Sequence, residues 1–438
     1  MAKPKESQAL VASRFLLAAL QAKHGGSACY SLSDHYKRHV VVPIPNLAVR
    51  HLIQSNGWPL ASITSSSGPP KSLKSSFSFE VIRWYLGAGG AVLYIDTENK
   101  LSPTLLYSMV SEDYAVPPLD VLLSILKTQT TEEWQSGVSS RVEGLEDILT
   151  KTKKKPEFPT LVVVDSIGAA GSEAMSAAIA KDGNAPGKGF SDVAQLNTQF
   201  MRYLSSGQVG MPLTTHFVNH EKNRMDGSQG KVNPGGDALQ YHTCLNLRFT
   251  PARQADRGAE GKQGAKPEFH RIMEDGTEIF GRNVSIKPTF NSFGSSIDAD
   301  TTVSMMWRYD RNKDGSVKQV TWWDWDTSTA NLVLGYAKAL EPVLGKLERK
   351  KGDSNCIVTD VFGETSFAEL GNRINSSEEI LSKCTRAVSI PEHVVFEPGK
   401  MDCANDLERL ESLKKSRKEE ADKKKKGKAK DAPRDLEE

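Results

Sequence analysis

The stretch Ser65-Ser-Ser-Gly68-Pro-Pro-Lys-Ser-Leu-Lys74-Ser75 limits what this chain can fold into more than any other. A loop that cradles a triphosphate needs inward backbone N–H groups, a lysine for the terminal phosphate oxygens and a hydroxyl for magnesium, and it must open a helix whose positive end faces the anion. Gly68, Lys74 and Ser75 stand at the first glycine, the lysine and the hydroxyl of the G-x-x-x-x-G-K-[ST] spacing. Leu73 occupies the place of the second glycine. Pro69, Pro70, Lys71 and Ser72 would then form the loop between these points, with Ser76 at its helical exit. A Ser/Gly/Pro linker with a chance Lys-Ser pair is the alternative.

The flanks decide in favour of a phosphate loop. Ala61–Thr64 reads as a short entry strand, and Ser76–Leu86 as a helix with Phe77, Val81, Ile82 and Tyr85 at helical spacing. Ala91-Val-Leu-Tyr-Ile-Asp96 follows as a buried parallel strand. Strand, loop, helix, strand is the order such a site requires. With 438 residues, 38% hydrophobic and 25% charged, the chain suits a soluble globular protein of one large or two ordinary domains. No run reaches membrane-spanning length, and the polar start does not read as a signal peptide. Five scattered cysteines without a C-x-x-C pair read as reduced thiols, and a net charge of +2 diagnoses no nucleic-acid partner.

Ser7–Ala22 forms an amphipathic helix, His39–Pro45 a strand or extended arm, and Asn46–Gln54 a short helix before a Gly57-Trp58-Pro59 turn. Glu98 stands just past the second strand, where ligands of open α/β sheets gather. It is either a base that polarises an attacking water or a solvated strand-end acid. Val121–Lys127 is strand-like and Thr131–Thr150 an amphipathic helix, with Lys151–Lys155 as solvated capping charge. Thr160-Leu-Val-Val-Val-Asp165 has the form of a Walker B strand, whose acid holds magnesium or its water shell. Gly168–Gly189, with Lys181 and Lys188, reads as a mobile loop or short helix. Phe190–Leu204 is helical, and Met211–Asn219 is a strand ending at His220. Glu221–Pro234 carries Lys222, Arg224 and Lys231 among polar residues, as either a clamp on a nucleic-acid backbone or an insertion with incidental charge. Thr243–Thr250 is a strand and Pro251–His270 a polar excursion. Asp310–Gly315 turns a hairpin between Thr301–Tyr309 and Val317–Trp325, and its Thr321 at the twelfth position rules out a calcium loop. Trp322, Trp323 and Trp325 are either a base-stacking platform or core packing. Leu332–Leu347 and Glu364–Cys384 read as helical, and the charged stretch from Glu411 as disordered.

In this order the segments resemble the RecA family of strand-exchange ATPases. The resemblance runs from about Trp58 to Phe293. It rests on Gly57-Trp-Pro-Leu-Ala-Ser-Ile63, Tyr94-Ile-Asp-Thr-Glu98-Asn-Lys-Leu-Ser-Pro103, Val162-Val-Val-Asp165-Ser166 and Asn233-Pro-Gly-Gly-Asp-Ala-Leu-Gln-Tyr241. Leu73 in the loop and Asn219-His220 depart from bacterial RecA, and at both places phage recombinases of the UvsX type are similar. The resemblance implies that Lys74 and Ser75 bind phosphates and magnesium, Glu98 activates water, Asp165 supports the metal and His220 senses the γ-phosphate. It implies a DNA channel lined by the loops near 171–189 and 221–234, with Lys181, Lys188, Lys222, Arg224 and Lys231 as DNA-binding candidates. It places Tyr241 at an aromatic link between subunits. Lys287 would be one of two cations reaching a neighbour's nucleotide, while Thr289 stands at the second. Ser102 and Leu105 occupy the positions of the acid and aromatic that contact adenine.

The expected fold is an α/β, RecA-like P-loop ATPase core with a mostly parallel central sheet flanked by helices, plus a small N-terminal helical segment and an α/β C-terminal part. The expected organisation is an N-terminal helix and arm over 1–50, the core over 51–330, a C-terminal helical region over 331–412 and a charged tail over 413–438. The expected function is that of a cytoplasmic ATP- and Mg2+-dependent recombinase, in the host cytoplasm or nucleoid if viral. It would form filaments on single-stranded DNA and pair it with homologous duplex DNA. Single-strand-binding and mediator proteins are candidate partners, and no membrane is. A ring-forming helicase or motor, and a DNA-coating scaffold with a degenerate nucleotide site, are the alternatives.

Overall fold

A computed structural model describes residues 16, 18–19, 40–110, 122–153, 157–182, 189–208, 211–223, 231–232, 238–252, 268–273, 275–292, 299–311, 314–350, 353 and 356–397. Almost all of the expected helix over 7–22 lies outside the described residues, as do Lys188, Arg224, residues 233–237 and the tail over 413–438. Lys222 and Lys231 are described as backbone only. The chain divides into two compact units, one of residues 39–142 and 158–396, the other of 1–38, 143–157 and 397–438. Most described residues of the second unit belong to the end of the helix Thr131–Thr152.

The first unit is built on a sheet of ten strands among the described residues. They are β1 (Ile63–Ser67), β2 (Ala91–Asp96), β3 (Leu123–Lys127), β4 (Thr160–Asp165), β5 (Leu213–Val218), β6 (Leu245–Pro251), β7 (Glu268–Ile272), β8 (Glu278–Asn291), β9 (Thr301–Arg311) and β10 (Val317–Trp323). The spatial order is β10-β9-β8-β6-β1-β5-β4-β2-β3, with β7 also paired to β8. The six strands from β6 to β3 are mutually parallel, and β7, β8, β9 and β10 extend the sheet antiparallel. Every residue of β1, β4 and β5 is buried, as expected for strands covered on both faces. Register places Asp96 beside Asp165 and Asp165 beside Val218, and it places Ser66 beside both Val218 and Leu247. The carboxyl ends of β1, β2, β4 and β5 are therefore level, which is where open α/β sheets bind ligands.

The helix Lys74–Gly87 leaves the β1 loop and is buried over most of its length. Phe77 anchors it, with its ring 5.1 Å from Phe249, 5.9 Å from Trp58, 6.0 Å from Trp84 and 6.0 Å from Trp323. Trp323 and Trp325 stack at 5.6 Å and are buried, so these two rings are core. Trp322 is half-buried with the Arg308 guanidinium 5.8 Å from its ring centroid.

Several expectations are corrected. The entry strand is Ile63–Ser67, starting two residues and ending three residues beyond Ala61–Thr64, because the serines satisfy their backbones in the ladders to β5 and β6. Gly57–Pro59 is a strand paired with Val40–Pro43 instead of a turn. The fourteen residues of β8 form one strand that local pattern did not announce. The C-terminal part is α/β, as the expected fold has it, and it is the expectation of a purely helical region over 331–412 that is corrected. Leu332–Leu347 is interrupted at Tyr336 and Gly345, and Leu347–Arg349, Cys356–Thr359 and Gly363–Ser366 form a small antiparallel sheet before the helices Phe367–Asn375 and Glu378–Ala387. Leu47, Ala330, Val333, Leu340, Leu370 and Leu381 meet in one apolar cluster there.

The helices Trp325–Gly335 and Phe367–Asn375 meet at Gly371, where a Cβ would lie 1.9 Å from the Asp326 carbonyl oxygen. Gly371→Ala should therefore destabilise the protein by about 1–3 kcal/mol through overpacking. Gly335→Ala, which meets nothing within 4 Å, should leave it within about 0.5 kcal/mol of the parent. Urea denaturation of the two variants checks this, and equal midpoints would contradict the packing described.

Candidate functional site

The β1 loop returns to its helix through two residues in the left-handed region, Lys71 (φ 61°) and Leu73 (φ 67°). Leu73 thus adopts the conformation for which glycine is the usual choice, at a cost of about 1–2 kcal/mol. Gly68 (φ 152°) has no such latitude, since a Cβ there would lie 2.3 Å from the Phe249 carbonyl oxygen on β6. No side-chain oxygen caps the helix at Leu73. Its first-turn N–H groups are open to an anion or water.

Lys74 bends over this loop. Its Nζ donates to the carbonyl oxygens of Gly68 (3.0 Å) and Pro69 (2.7 Å) and to Ser72 Oγ (3.2 Å). Burial lowers its ammonium to about 8, against the opposing pull of Asp165, Glu98 and Glu221. Asp165 ends β4 and accepts hydrogen bonds from Tyr94 (2.6 Å) and Ser75. Burial raises its carboxyl all the same.

Glu98 lives in a different environment. Its Oε1 accepts from Ser166 Oγ (2.7 Å) and pairs with His220 Nε2 (2.7 Å), and its Oε2 meets Lys100 Nζ at 3.0 Å. Burial pushes this carboxyl up, but the hydrogen bonds from Ser166, His220 and Lys100 outweigh it and bring it down to about 2. It is an anion at neutral pH. The His220 ring stands at the end of β5 on a segment fixed against the loop strand, where Asn219 N–H donates to Ser66 O (2.8 Å) and Glu221 N–H to Gly68 O (3.0 Å). Arg248 on β6 pairs with Glu221 at 2.7 Å.

The fold thus brings Gly68, Lys74, Ser75, Asp165, Glu98 and His220 to one edge of the sheet. Pro70 and Lys71 are exposed on the outside of the loop, Ser72 is buried beneath Lys74, and Ser76 is buried in the first helical turn. Lys287 is exposed on β8 with its Cα in register with Arg248, itself in register with Ser67. Lys181 is exposed at the C-terminal turn of the helix Glu173–Asp182, and Tyr241 is 82% exposed on the helix Ala238–His242. Sequence reasoning missed Ser166, Lys100, Tyr94 and the Glu221–Arg248 pair. Ser166 and Lys100 were detectable as near neighbours in sequence of Asp165 and Glu98, whereas the Tyr94–Asp165 and Glu221–Arg248 contacts arise from how the strands are brought together.

The donor set suits a magnesium nucleotide. A serine hydroxyl hydrogen-bonded to a carboxylate offers hard oxygen ligands beside an open helix start, and Mg2+ is commonly held by one or two side chains plus phosphates. Among the described residues no cluster of three or more His, Cys, Asp or Glu forms a protein-only metal cage, and no helix is long and apolar enough to cross a membrane.

A ten-stranded, largely parallel sheet with this loop, helix and pair of strand-end acids is the architecture of a RecA-like α/β core. The chain is 22% identical to Protein RecA of Mycoplasma mobile over 235 residues, covering 53% of this chain and 64% of that relative. It is 22% identical to Protein RecA of Acholeplasma laidlawii over 263 residues (59% and 71%), and 23% identical to Protein RecA of Symbiobacterium thermophilum over 301 residues (66% and 79%). The match thus spans less than two thirds of the Mycoplasma relative's length. No family model matches the chain. These weak similarities support a relationship to the RecA family.

The lowered Lys74 ammonium predicts a proton linkage. A polyphosphate on the loop favours charged lysine, so its binding should be strongest below about pH 8 and weaken as pH rises through that value. Calorimetry of inorganic tripolyphosphate binding at pH 9, in buffers of different ionisation enthalpy, should show uptake of up to about one proton. Lys74→Arg, which keeps its charge, should lose that uptake.

Proposed function

We propose that this chain is an ATP- and Mg2+-dependent DNA recombinase of the phage UvsX type, which assembles into filaments on single-stranded DNA and promotes pairing and strand exchange with homologous duplex. The observation that carries the reading is the hydrogen bond from His220 to Glu98. It ties a carboxylate beside the phosphate loop to the residue that immediately precedes the segment 221–234 with its Lys222, Arg224 and Lys231. A helicase built on the same core and a DNA-coating scaffold remain as outcomes of the test.

In this reading Mg2+-ATP, when bound, supplies a γ-phosphoryl group for transfer to water. Residues Gly68 to Ser76 cradle the phosphates, with Lys74 neutralising their charge and Ser75 and Asp165 holding the metal. Glu98 orients the attacking water and accepts its proton. With Ser166, His220 and Lys100 all engaged, Glu98 is a weak base. Withdrawal of the His220 ring removes one donor, and the carboxyl then rises towards the value its burial favours. DNA held by Lys222, Arg224 and Lys231 would act on that ring through the adjoining backbone, which makes hydrolysis responsive to DNA. Lys181 and Lys188 complete the DNA contacts. Lys287 reaches a neighbouring subunit's nucleotide and exposed Tyr241 contacts that neighbour. These parts all belong to a core domain over 51–330.

ATP turnover with and without single-stranded DNA tests the assignment. Lys74→Ala and Glu98→Gln should each lower stimulated turnover by about a hundredfold or more, with Glu98→Gln retaining nucleotide binding. Turnover at the parent rate in both variants would refute the catalytic assignment. Electron microscopy with DNA and an ATP analogue should show helical filaments. Closed rings would favour the helicase, and DNA binding without any turnover the scaffold.

A further inference from the structure

Two residues of the phosphate loop hold a backbone conformation that suits neither of them. Lys71 (φ 61°) and Leu73 (φ 67°) both lie in the left-handed region, on either side of Ser72. That region is unfavourable for any residue with a Cβ, and such strain persists only where surrounding contacts fix the conformation. The chain offers no glycine between Gly68 and Gly87 to relieve it. Contacts from elsewhere in the fold must hold the loop.

One such contact comes from far along the chain. Arg282 Nη1 donates to the Lys71 carbonyl oxygen at 2.8 Å, across 211 positions of sequence. Its Nη2 pairs with Glu268, so both Nη atoms are engaged by the protein itself. The arm rises from a firm base, because Arg282 is in register with Glu268 of β7 on one side and with buried Met305 of β9 on the other. A held carbonyl fixes ψ of Lys71, and with it the direction of the peptide that leads into Ser72 and Leu73. In a trans peptide the C=O and the following N–H point in opposite directions. Drawing the Lys71 carbonyl towards β8 therefore turns the Ser72 N–H away from β8. Anion-binding loops work through backbone N–H groups turned in this way.

We propose that Arg282, oriented by Glu268, is a positioning residue for the phosphate loop. It holds the Lys71 carbonyl outward and so keeps a loop that lacks its second glycine in the shape that binds a polyphosphate. The proposal rests on the nucleotide-binding reading above and adds what stands in for the missing glycine. Neither side chain touches the ligand in this account.

Calorimetry of inorganic tripolyphosphate binding to the full chain tests it. Arg282→Ala should weaken binding by about tenfold, since hydrogen bonds from charged donors are among the stronger ones. Glu268→Ala should weaken it by about threefold. The sign is diagnostic, because loss of a carboxylate near a polyanion would by charge alone tighten binding. Both side chains reach solvent, so their removal spares the core. In a Leu73→Gly background, where the left-handed backbone is no longer strained at 73, Arg282→Ala should cost about twofold or less. A tenfold loss that is the same with leucine or glycine at 73 would mean that the guanidinium meets the phosphates directly, and would overturn the proposal. So would unchanged affinity in Arg282→Ala or tighter binding in Glu268→Ala, and each of these leaves the nucleotide reading standing. A parent chain that binds neither tripolyphosphate nor ATP would refute the nucleotide reading itself, and the role of Arg282 with it.

Discussion

One carboxylate collects the strand ends of this fold. Glu98 follows β2, Ser166 follows β4 and His220 follows β5, and all three meet within hydrogen-bond distance because their strands are parallel and level. A slip of one residue in any of those ladders would turn the side chains to the other face of the sheet and break the cluster. The buried Val and Leu of β4 and β5 are thus what holds the polar site in place. The loop depends on the same register, since Asn219 and Glu221 donate their N–H groups to Ser66 and Gly68.

The two strand-end acids differ in a way that matters for chemistry. Asp165 is buried and its carboxyl is raised despite bonds from Tyr94 and Ser75, so it gains by meeting a cation. Glu98 is held down by three donors, one of them on a segment that leads into a basic stretch. Two unlike environments for neighbouring carboxyls are a common basis for dividing roles between them. Under the proposed function Asp165 is the metal's acid and Glu98 the water's.

Much of this was legible in the chain. The Thr160–Asp165 run and the Ala91–Asp96 run were legible because buried parallel strands are continuous apolar stretches closed by an acid. The loop was legible through Gly68, Lys74 and Ser75 although Leu73 breaks the pattern. Its left-handed backbone explains why, since the loop needs the conformation more than the residue type. Less legible were the contacts set by how strands come together, such as Glu221 with Arg248, 27 positions apart, and the register that aligns His270, Phe280 and Trp307 across three strands. No local period marks them. The serines of β1 misled the strand boundary because serine usually marks a turn, and here tertiary pairing overrides it.

The central claim is that Glu98 and His220 act as one unit. A double-mutant cycle with Glu98→Gln and His220→Ala, read as ATP turnover with and without single-stranded DNA, tests it most directly. The account predicts a coupling of about 1 kcal/mol or more between the two positions, and a change in that coupling when DNA is added. Effects that simply add, within about 0.3–0.5 kcal/mol in both conditions, would contradict it.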